Sequence, residues 1–476
     1  MRLKLALLTT IVATLLTSAL FAKPPATASR TPLDDYIQQP DPAFSWKVEK
    51  TIPGAGSNTY IIHLTSQKWR EIPEVDRPIW EHWLVVVKPN TLKTNKAFLA
   101  ISGGANDRPM PDKANAAVSQ IAETTGSIVA ELRMVPNQPL IFNNDGQPRK
   151  EDDLIAYGWD KFLATGDPTW LPRLPMVKSA VRAMDCLQEW SAKEGAKIDK
   201  FVVAGASKRG WTTWLTGATD PRVEAIIPIV IDVLNAGPSI RHHAAVYGFW
   251  ATAIGAYYQH NILQRFDHPR LAELYSIEDP YYYIDRLTMP KYVINGSGDQ
   301  FFLPDSSQFY YDDLKGEKHI RYVPNADHSV DTNFDSVLSM VAFYQMIING
   351  KPRPEITWKF EDDGSIRVHS DTPPQQVLLW QATNPTARDF RVATIGKTYT
   401  STELKPEGDG SWVAHLKAPE KGWTAAFVEF SFDSGSPFPF KQSTAVRILP
   451  NTVPHADLDP KTIEYEPNLK KTATPN

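Results

Sequence analysis

A single cysteine, Cys186, stands in the whole chain. One thiol excludes an internal disulfide, so stability must come from core burial, which 476 residues can supply. Cys186 lies in the helical run "MVKSAVRAMDCLQEW" and reads as a packing residue. Charge of one sign is also missing. The net charge is −4, which leaves no footing for nucleic-acid binding. There is no HExxH, no cysteine pair and no P-loop, so neither a metal nor a cofactor is expected. His242 and His243 are adjacent and would point apart on a helix, which makes a poor metal pair.

Proline, by contrast, is plentiful. The 39 prolines imply many loops and turns rather than a helical bundle. The chain opens on "MRLKLALLTTIVATLLTSALFAKPP", with Arg2 and Lys4 before an apolar run from Leu5 to Phe21. Ala19 and Ala22 both offer cleavage points ahead of Lys23-Pro24-Pro25. Residues 1–22 therefore read as a secretory signal peptide. The expected address is periplasmic or secreted, with no stable membrane insertion after cleavage. A retained membrane anchor is the alternative, but the run is marginal in length and diluted by threonines.

Residues 23–350 read as one large α/β domain. Strand patterns at 58–69, 82–89, 96–104, 127–135, 201–205, 223–232, 291–299 and 319–328 are interleaved with helical patterns at 113–126, 176–195 and 337–350. Several strands are uninterrupted apolar runs. That predicts a mostly parallel sheet covered on both faces. The first strands have no helices between them, so an antiparallel edge is expected. Pro136 to Pro175 reads as a long polar loop, functional or decorated with small helices. Residues 233–290 are aromatic and helical in pattern and read as a cap, or else as a plain core layer. Residues 353–450 show short alternating strands with Asp-Gly and Gly-Ser turns, as in a small β-sandwich. Residues 451–476 form a polar tail that reads as loosely ordered.

The chemistry centres on "FVVAGASKRGW", residues 201–211. A strand runs into Gly205-Ala206-Ser207, and a helix pattern follows at once. A strained strand-to-helix turn needs small neighbours around its serine, which Gly205 and Ala206 supply. Gly210 would let the new helix approach the strand. A serine hydroxyl needs a base, and the base needs an orienting carboxylate. Asp299 follows "YVINGSG" and His328 sits in "VPNADHS", each just past a predicted strand. The order Ser207, Asp299, His328 is that of α/β-hydrolases. Asp232, at the end of "PIVID", is the competing acid or a pocket residue. Oxyanion donors would be the backbone of Lys208 and of Gly103 and Gly104. Lys208 and Arg209 are unfavourably placed at a helix start unless one of them serves an anionic substrate group or the developing oxyanion; otherwise they point to solvent. Arg209, Trp211 and Asp232 are thus candidate pocket residues.

"GASKRGWTTWLTGATDPRVEAIIPIVIDVLN", with "AISGGAND", "GSGDQFFLPDSS" and "VPNADHSV", resembles the PhoPQ-activated pathogenicity-related protein family. The resemblance spans most of the chain after the signal peptide. It implies an exported protein of α/β-hydrolase fold, with the family's serine at Ser207 and its acid and base at Asp299 and His328. Some relatives are discussed as secreted regulators of virulence or growth. The cation after the serine is also similar to that in the G-x-S-R-x-G run of glucuronoyl esterases. The combined expectation is a serine hydrolase taking a small-molecule or peptide substrate with an ester or amide bond. A non-catalytic regulatory protein on that scaffold and a peptidase are the alternatives, and the oligomeric state stays open.

Overall fold

The computed structural model describes residues 30–330 and 334–472. The predicted signal peptide, residues 1–22, lies outside the described residues. Nine strands form the main sheet: β1 (Ser45–Ile52), β2 (Ser57–Lys68), β3 (Ile79–Pro89), β4 (Lys96–Ile101), β5 (Ile128–Leu132), β6 (Lys200–Ala206), β7 (Val223–Ile229), β8 (Lys291–Gly296) and β9 (Lys318–Val323). Their order is β1-β2-β3-β5-β4-β6-β7-β8-β9. Pairing is antiparallel from β1 through the β3–β5 contact and parallel from there to β9. The connections among β1, β2 and β3 hold no helix, so those strands can only fold back on one another. This is the α/β-hydrolase fold with its antiparallel edge, as the pattern of strands and helices predicts.

Helices cover both faces. They are α1 (Pro32–Gln38), α2 (Ala116–Thr125), α3 (Glu151–Thr165), α4 (Arg173–Lys193), α5 (Lys208–Thr219), α6 (Ala236–Tyr247), α7 (Gly255–Gln259), α8 (Leu271–Glu278) and α9 (Asp335–Ile348). Alternate strand residues serve opposite faces. Leu99 and Val203 join a core with Met184 of α4 and Leu215 of α5. Phe98 and Val202 join another with Ile121 of α2 and Phe343 of α9.

Two stretches depart from the sequence reading. The expected polar loop 136–175 holds the 15-residue helix α3. Its buried Leu154, Ile155, Trp159 and Phe162 keep helical spacing, and Glu151, Asp152 and Asp153 stand at its positive end. The tail is also ordered across its described part. Trp250 N donates to Glu464 O at 2.8 Å, and Glu466 N donates to Trp250 O at 2.9 Å. The Tyr465 ring stacks on Tyr258 with centroids 5.2 Å apart. Glu466 pairs with Arg391 at 3.1 Å. These contacts fall within the 233–290 insert and beside it, so the polar tail is pinned by residues remote in sequence.

Beyond α9 the chain forms β10 (Ile356–Phe360), β11 (Ile366–Ser370), β12 (Gln376–Asn384), β13 (Thr400–Glu403), β14 (Trp412–Ala414), β15 (Trp423–Phe432), β16 (Phe440–Ser443) and β17 (Arg447–Leu449). They make two antiparallel sheets, β10-β11-β14 and β13-β12-β15-β16, with β17 also on β15. Trp412 and Phe430 meet edge to face between the sheets, centroids 5.4 Å apart. This unit shares a core with the main sheet: Phe440 packs against Tyr292 of β8 at 5.2 Å.

Candidate active site

Ser207 occupies the one-residue turn between β6 and α5, with φ 57° and ψ −123°. That strained conformation is held by close packing on both sides. A Cβ on Gly205 would lie 2.6 Å from Arg209 O. A Cβ on Gly210 would lie 2.9 Å from Ile229 O and 3.0 Å from Gly205 O. The glycine that comes one position later than in G-x-S-x-G therefore does the spacing work. Arg209, at the usual glycine position, sends its side chain away from the strand.

His328 follows β9, and Asp299 follows β8. His328 Nε2 lies 2.7 Å from Ser207 Oγ, and His328 Nδ1 lies 2.8 Å from Asp299 Oδ2. A carboxylate only accepts, so Nδ1 carries the proton and the Nε2 lone pair faces the serine hydroxyl. Asp299 Oδ1 accepts the amide of Phe301 at 2.7 Å. The His328 amide donates to Gln300 Oε1 at 3.1 Å, and the Phe301 ring packs 4.2 Å from the imidazole. The three predicted residues are thus brought together as one hydrogen-bonded chain.

The loop after β4 runs beside this turn, because Ile101 pairs with Gly205 across parallel strands. Gly103 O accepts the Met134 amide at 3.0 Å, and Gly104 O accepts Gln138 Nε2 at 3.0 Å. The carbonyls are thereby tied toward β5. The amides of Gly103, Gly104 and Lys208 donate to no acceptor among the described residues. A Cβ on Gly103 would lie 2.6 Å from Arg209 Nη2, so a side chain there would have to displace that guanidinium.

Both cations after the serine are already paired. Lys208 Nζ donates to Asp152 Oδ2 at 2.8 Å and lies 3.3 Å from Glu151 Oε2. Arg209 grips Glu151 through Nη1 at 2.8 Å and Nη2 at 2.7 Å, and its Nε donates to Val135 O. Burial raises the Glu151 carboxyl, but Arg209, Lys208 and Gln138 outweigh it and hold its pKa at about 2. The acidic start of α3 thus neutralises the cations at the start of α5, which removes the electrostatic cost the sequence implied.

Ser207, Lys208 and Trp211 line a cavity of about 80 Å³. Much of its wall comes from the 233–290 insert, including Ile240, Ile254, Leu263, Phe266 and Tyr275. Ser207 and the insert thus share one cavity. Two candidate pocket residues do not line this cavity. Arg209 is turned to Glu151 and Val135. Asp232 is buried, with its oxygens taken by Tyr310 OH at 2.6 Å and Tyr322 OH at 2.7 Å. Burial pushes the Asp232 pKa up to about 7, against the two tyrosine hydrogen bonds. Its two oxygens accept from tyrosines, and His328 Nδ1 is met by Asp299 instead. Sequence reasoning missed Asp152, Arg173 and His243, all in the cavity wall. The first two lie in the stretch read as polar loop, where the acidic triplet opening an amphipathic run was the available signal. His243 accepts the Ala251 amide at 3.2 Å, and burial drives its pKa down to about 3, so it stays neutral.

The family model described as "PhoPQ-activated pathogenicity-related protein" matches residues 33–391. The chain belongs to this family. It is also similar to the Autocrine proliferation repressor protein A of Dictyostelium discoideum, 40% identical over 452 residues, covering 89% of this chain and 91% of that one. Among solved structures, acetyl xylan esterase 1 of a Thermoanaerobacterium species aligns with TM-score 0.47 and 16% identity, over 66% of this chain and 90% of its own. A glucuronoyl esterase from Solibacter usitatus aligns with TM-score 0.35 and 15% identity, over 57% and 72%. The family match extends past the main sheet into the connector between β12 and β13. Just past the end of that match, Val392 N donates to Gly298 O at 2.9 Å, and Asn325 Nδ2 donates to Tyr399 O at 2.9 Å. The connector braces the loops that carry Asp299 and His328.

Proposed function

We propose that the protein is an exported serine hydrolase, an esterase or amidase acting by acyl transfer. The supporting observation is the unbroken chain Ser207 Oγ, His328 Nε2, His328 Nδ1, Asp299 Oδ2, at 2.7 and 2.8 Å, in the wall of a covered cavity. Ser207 Oγ attacks the substrate carbonyl as His328 Nε2 takes its proton. The tetrahedral oxyanion is held by the free amides of Lys208 and of Gly103 or Gly104. His328 then gives the proton to the leaving alcohol or amine, and the acyl group remains on Ser207. Water, deprotonated by the same imidazole, releases the acid and restores the serine. Asp299 fixes the tautomer and steadies the imidazolium throughout.

Labelling with a serine-directed fluorophosphonate tests this reading. The wild type is expected to be labelled and Ser207→Ala not. Equal, negligible labelling of both would remove the hydrolase reading. A panel of ester, amide and peptide substrates then separates esterase from peptidase. Export predicts a mature N-terminus just after residue 19 or residue 22, read by intact mass of the protein recovered from periplasm or medium.

A second reading is a secreted regulator that uses the scaffold without turnover. It is favoured by the name of the relative that is 40% identical, a repressor of proliferation. A regulator has no chemical need for the intact Ser207–His328–Asp299 chain. Signalling activity that survives Ser207→Ala would support it.

A further inference from the structure

Arg173 opens α4, and its side chain stands in the wall of the cavity that holds Ser207. It is 2% exposed. Its guanidinium carbon sits 3.9 Å above the centroid of the Trp211 ring, a wall residue itself. Its Nε lies 3.4 Å from Glu278 Oε2, but that oxygen already accepts the Trp159 indole N–H at 2.6 Å. Arg173 Nε and Nη1 have no hydrogen-bond partner among the described residues, and neither has Glu278 Oε1. A buried guanidinium that lacks acceptors is costly, and the cost is recovered when an oxygen reaches it. The other cation of the wall, Lys208, is already spent on Asp152 and Glu151.

Charge balance decides what kind of oxygen fits. Lys208 is matched by Asp152, Arg209 by Glu151, and Arg173 by Glu278. Asp279 lies nearby as well, its carboxylate accepting the amides of Ala236 at 2.7 Å and Tyr281 at 3.0 Å. A ligand carboxylate would bring a surplus negative charge into an apolar wall. A neutral carbonyl would satisfy the donors without one.

We propose that Arg173 forms an acceptor subsite for an uncharged carbonyl oxygen of the substrate, remote from the carbonyl that Ser207 attacks. The inference rests on the hydrolase reading and narrows its substrates to acyl compounds bearing a second, uncharged amide or ester carbonyl. Anionic recognition by Lys208 and Arg209, which the sequence suggested, is replaced by neutral recognition at a residue from a different helix.

Three 4-nitrophenyl esters of matched length test it: glutaramate, 5-methylhexanoate and hemiglutarate. The carboxamide ester is expected to exceed the alkyl ester at least tenfold or so in kcat/KM, and to exceed the carboxylate ester as well. The carboxamide-to-alkyl ratio should fall toward one in the double variant Arg173→Met/Glu278→Gln, which leaves no charge unpaired. Should that variant fail to fold, Arg173→Lys carries the test, and the ratio must drop there too. A carboxylate ester that ranks first, or a ratio that ignores Arg173, overturns the subsite. If wild type neither takes a fluorophosphonate nor cleaves any ester, the hydrolase reading fails separately. The subsite is then read on Ser207→Ala protein, where glutaramide but not glutarate should raise Tm by about 2 °C or more, and only with Arg173 in place. Absence of that rise overturns it.

Discussion

Asp305 receives the guanidinium of Arg388 at 2.6 Å, with the two side chains 8% and 3% exposed. His242 Nε2 shares the same carboxylate oxygen at 3.0 Å. The pair ties the segment after β8, which carries Asp299, to the connector between β12 and β13. It also reaches α6 of the insert. One buried ionic contact therefore links three regions that are distant in sequence.

Breaking that pair on one side leaves a buried carboxylate short of charge. Arg388→Met is expected to lower stability by about 3 kcal/mol. Calorimetry should show the loss as a lower Tm, and fluorophosphonate labelling of Ser207 should slow as the Asp299 segment loosens. An unchanged Tm would mean that the connector contributes nothing to the site.

The turn around Ser207 has no room for a methyl group on either flank. Gly205→Ala and Gly210→Ala each set a Cβ against backbone oxygens, at 2.6 and 2.9 Å. Each should cost roughly 1–3 kcal/mol and reduce labelling of Ser207. Gly195→Ala is the control for labelling, because a Cβ there meets nothing within 4 Å. Its own cost comes only from its φ of 67°.

Asp299 and Asp232 make different contacts, and kinetics should separate them. Asp299→Asn removes the acceptor that fixes the His328 tautomer, and kcat should fall about 10³–10⁴-fold. Asp232→Asn keeps hydrogen-bond partners for Tyr310 and Tyr322, and should cost less than about tenfold. Equal losses would assign the orienting role to Asp232.

The Glu151 cluster predicts an acid-side stability change. Its pKa is held at about 2, below the ordinary 4.5. A depressed carboxylate stabilises the fold fully above its unfolded pKa, and the contribution fades as pH falls toward the folded value. Melting temperatures should therefore decline between about pH 4.5 and 2, and Glu151→Gln should flatten that part of the profile. A profile identical to wild type would show that Arg209 and Lys208 do not depend on this carboxylate.

Much of the architecture was legible along the chain because it is written in local pattern. Apolar runs marked the parallel strands, the missing helices marked the antiparallel edge, and Gly205, Ser207 and Gly210 marked a tight strand-to-helix turn. The order Ser207, Asp299, His328 was legible for the same reason, since each follows a strand pattern. Local pattern could not say where long side chains end. Lys208 and Arg209 looked available because their carboxylates, Glu151 and Asp152, lie more than fifty residues earlier in a stretch read as loop. Asp232 and Asp299 each follow a strand, and only their neighbours on other elements distinguish them. The tail looked loose because its partners Trp250, Tyr258 and Arg391 are remote. Sequence by itself determined the scaffold and the order of Ser207, Asp299 and His328. Tertiary packing decided the charge balance of the cavity, because ion pairs and buried hydrogen bonds depend on distances that no local periodicity encodes.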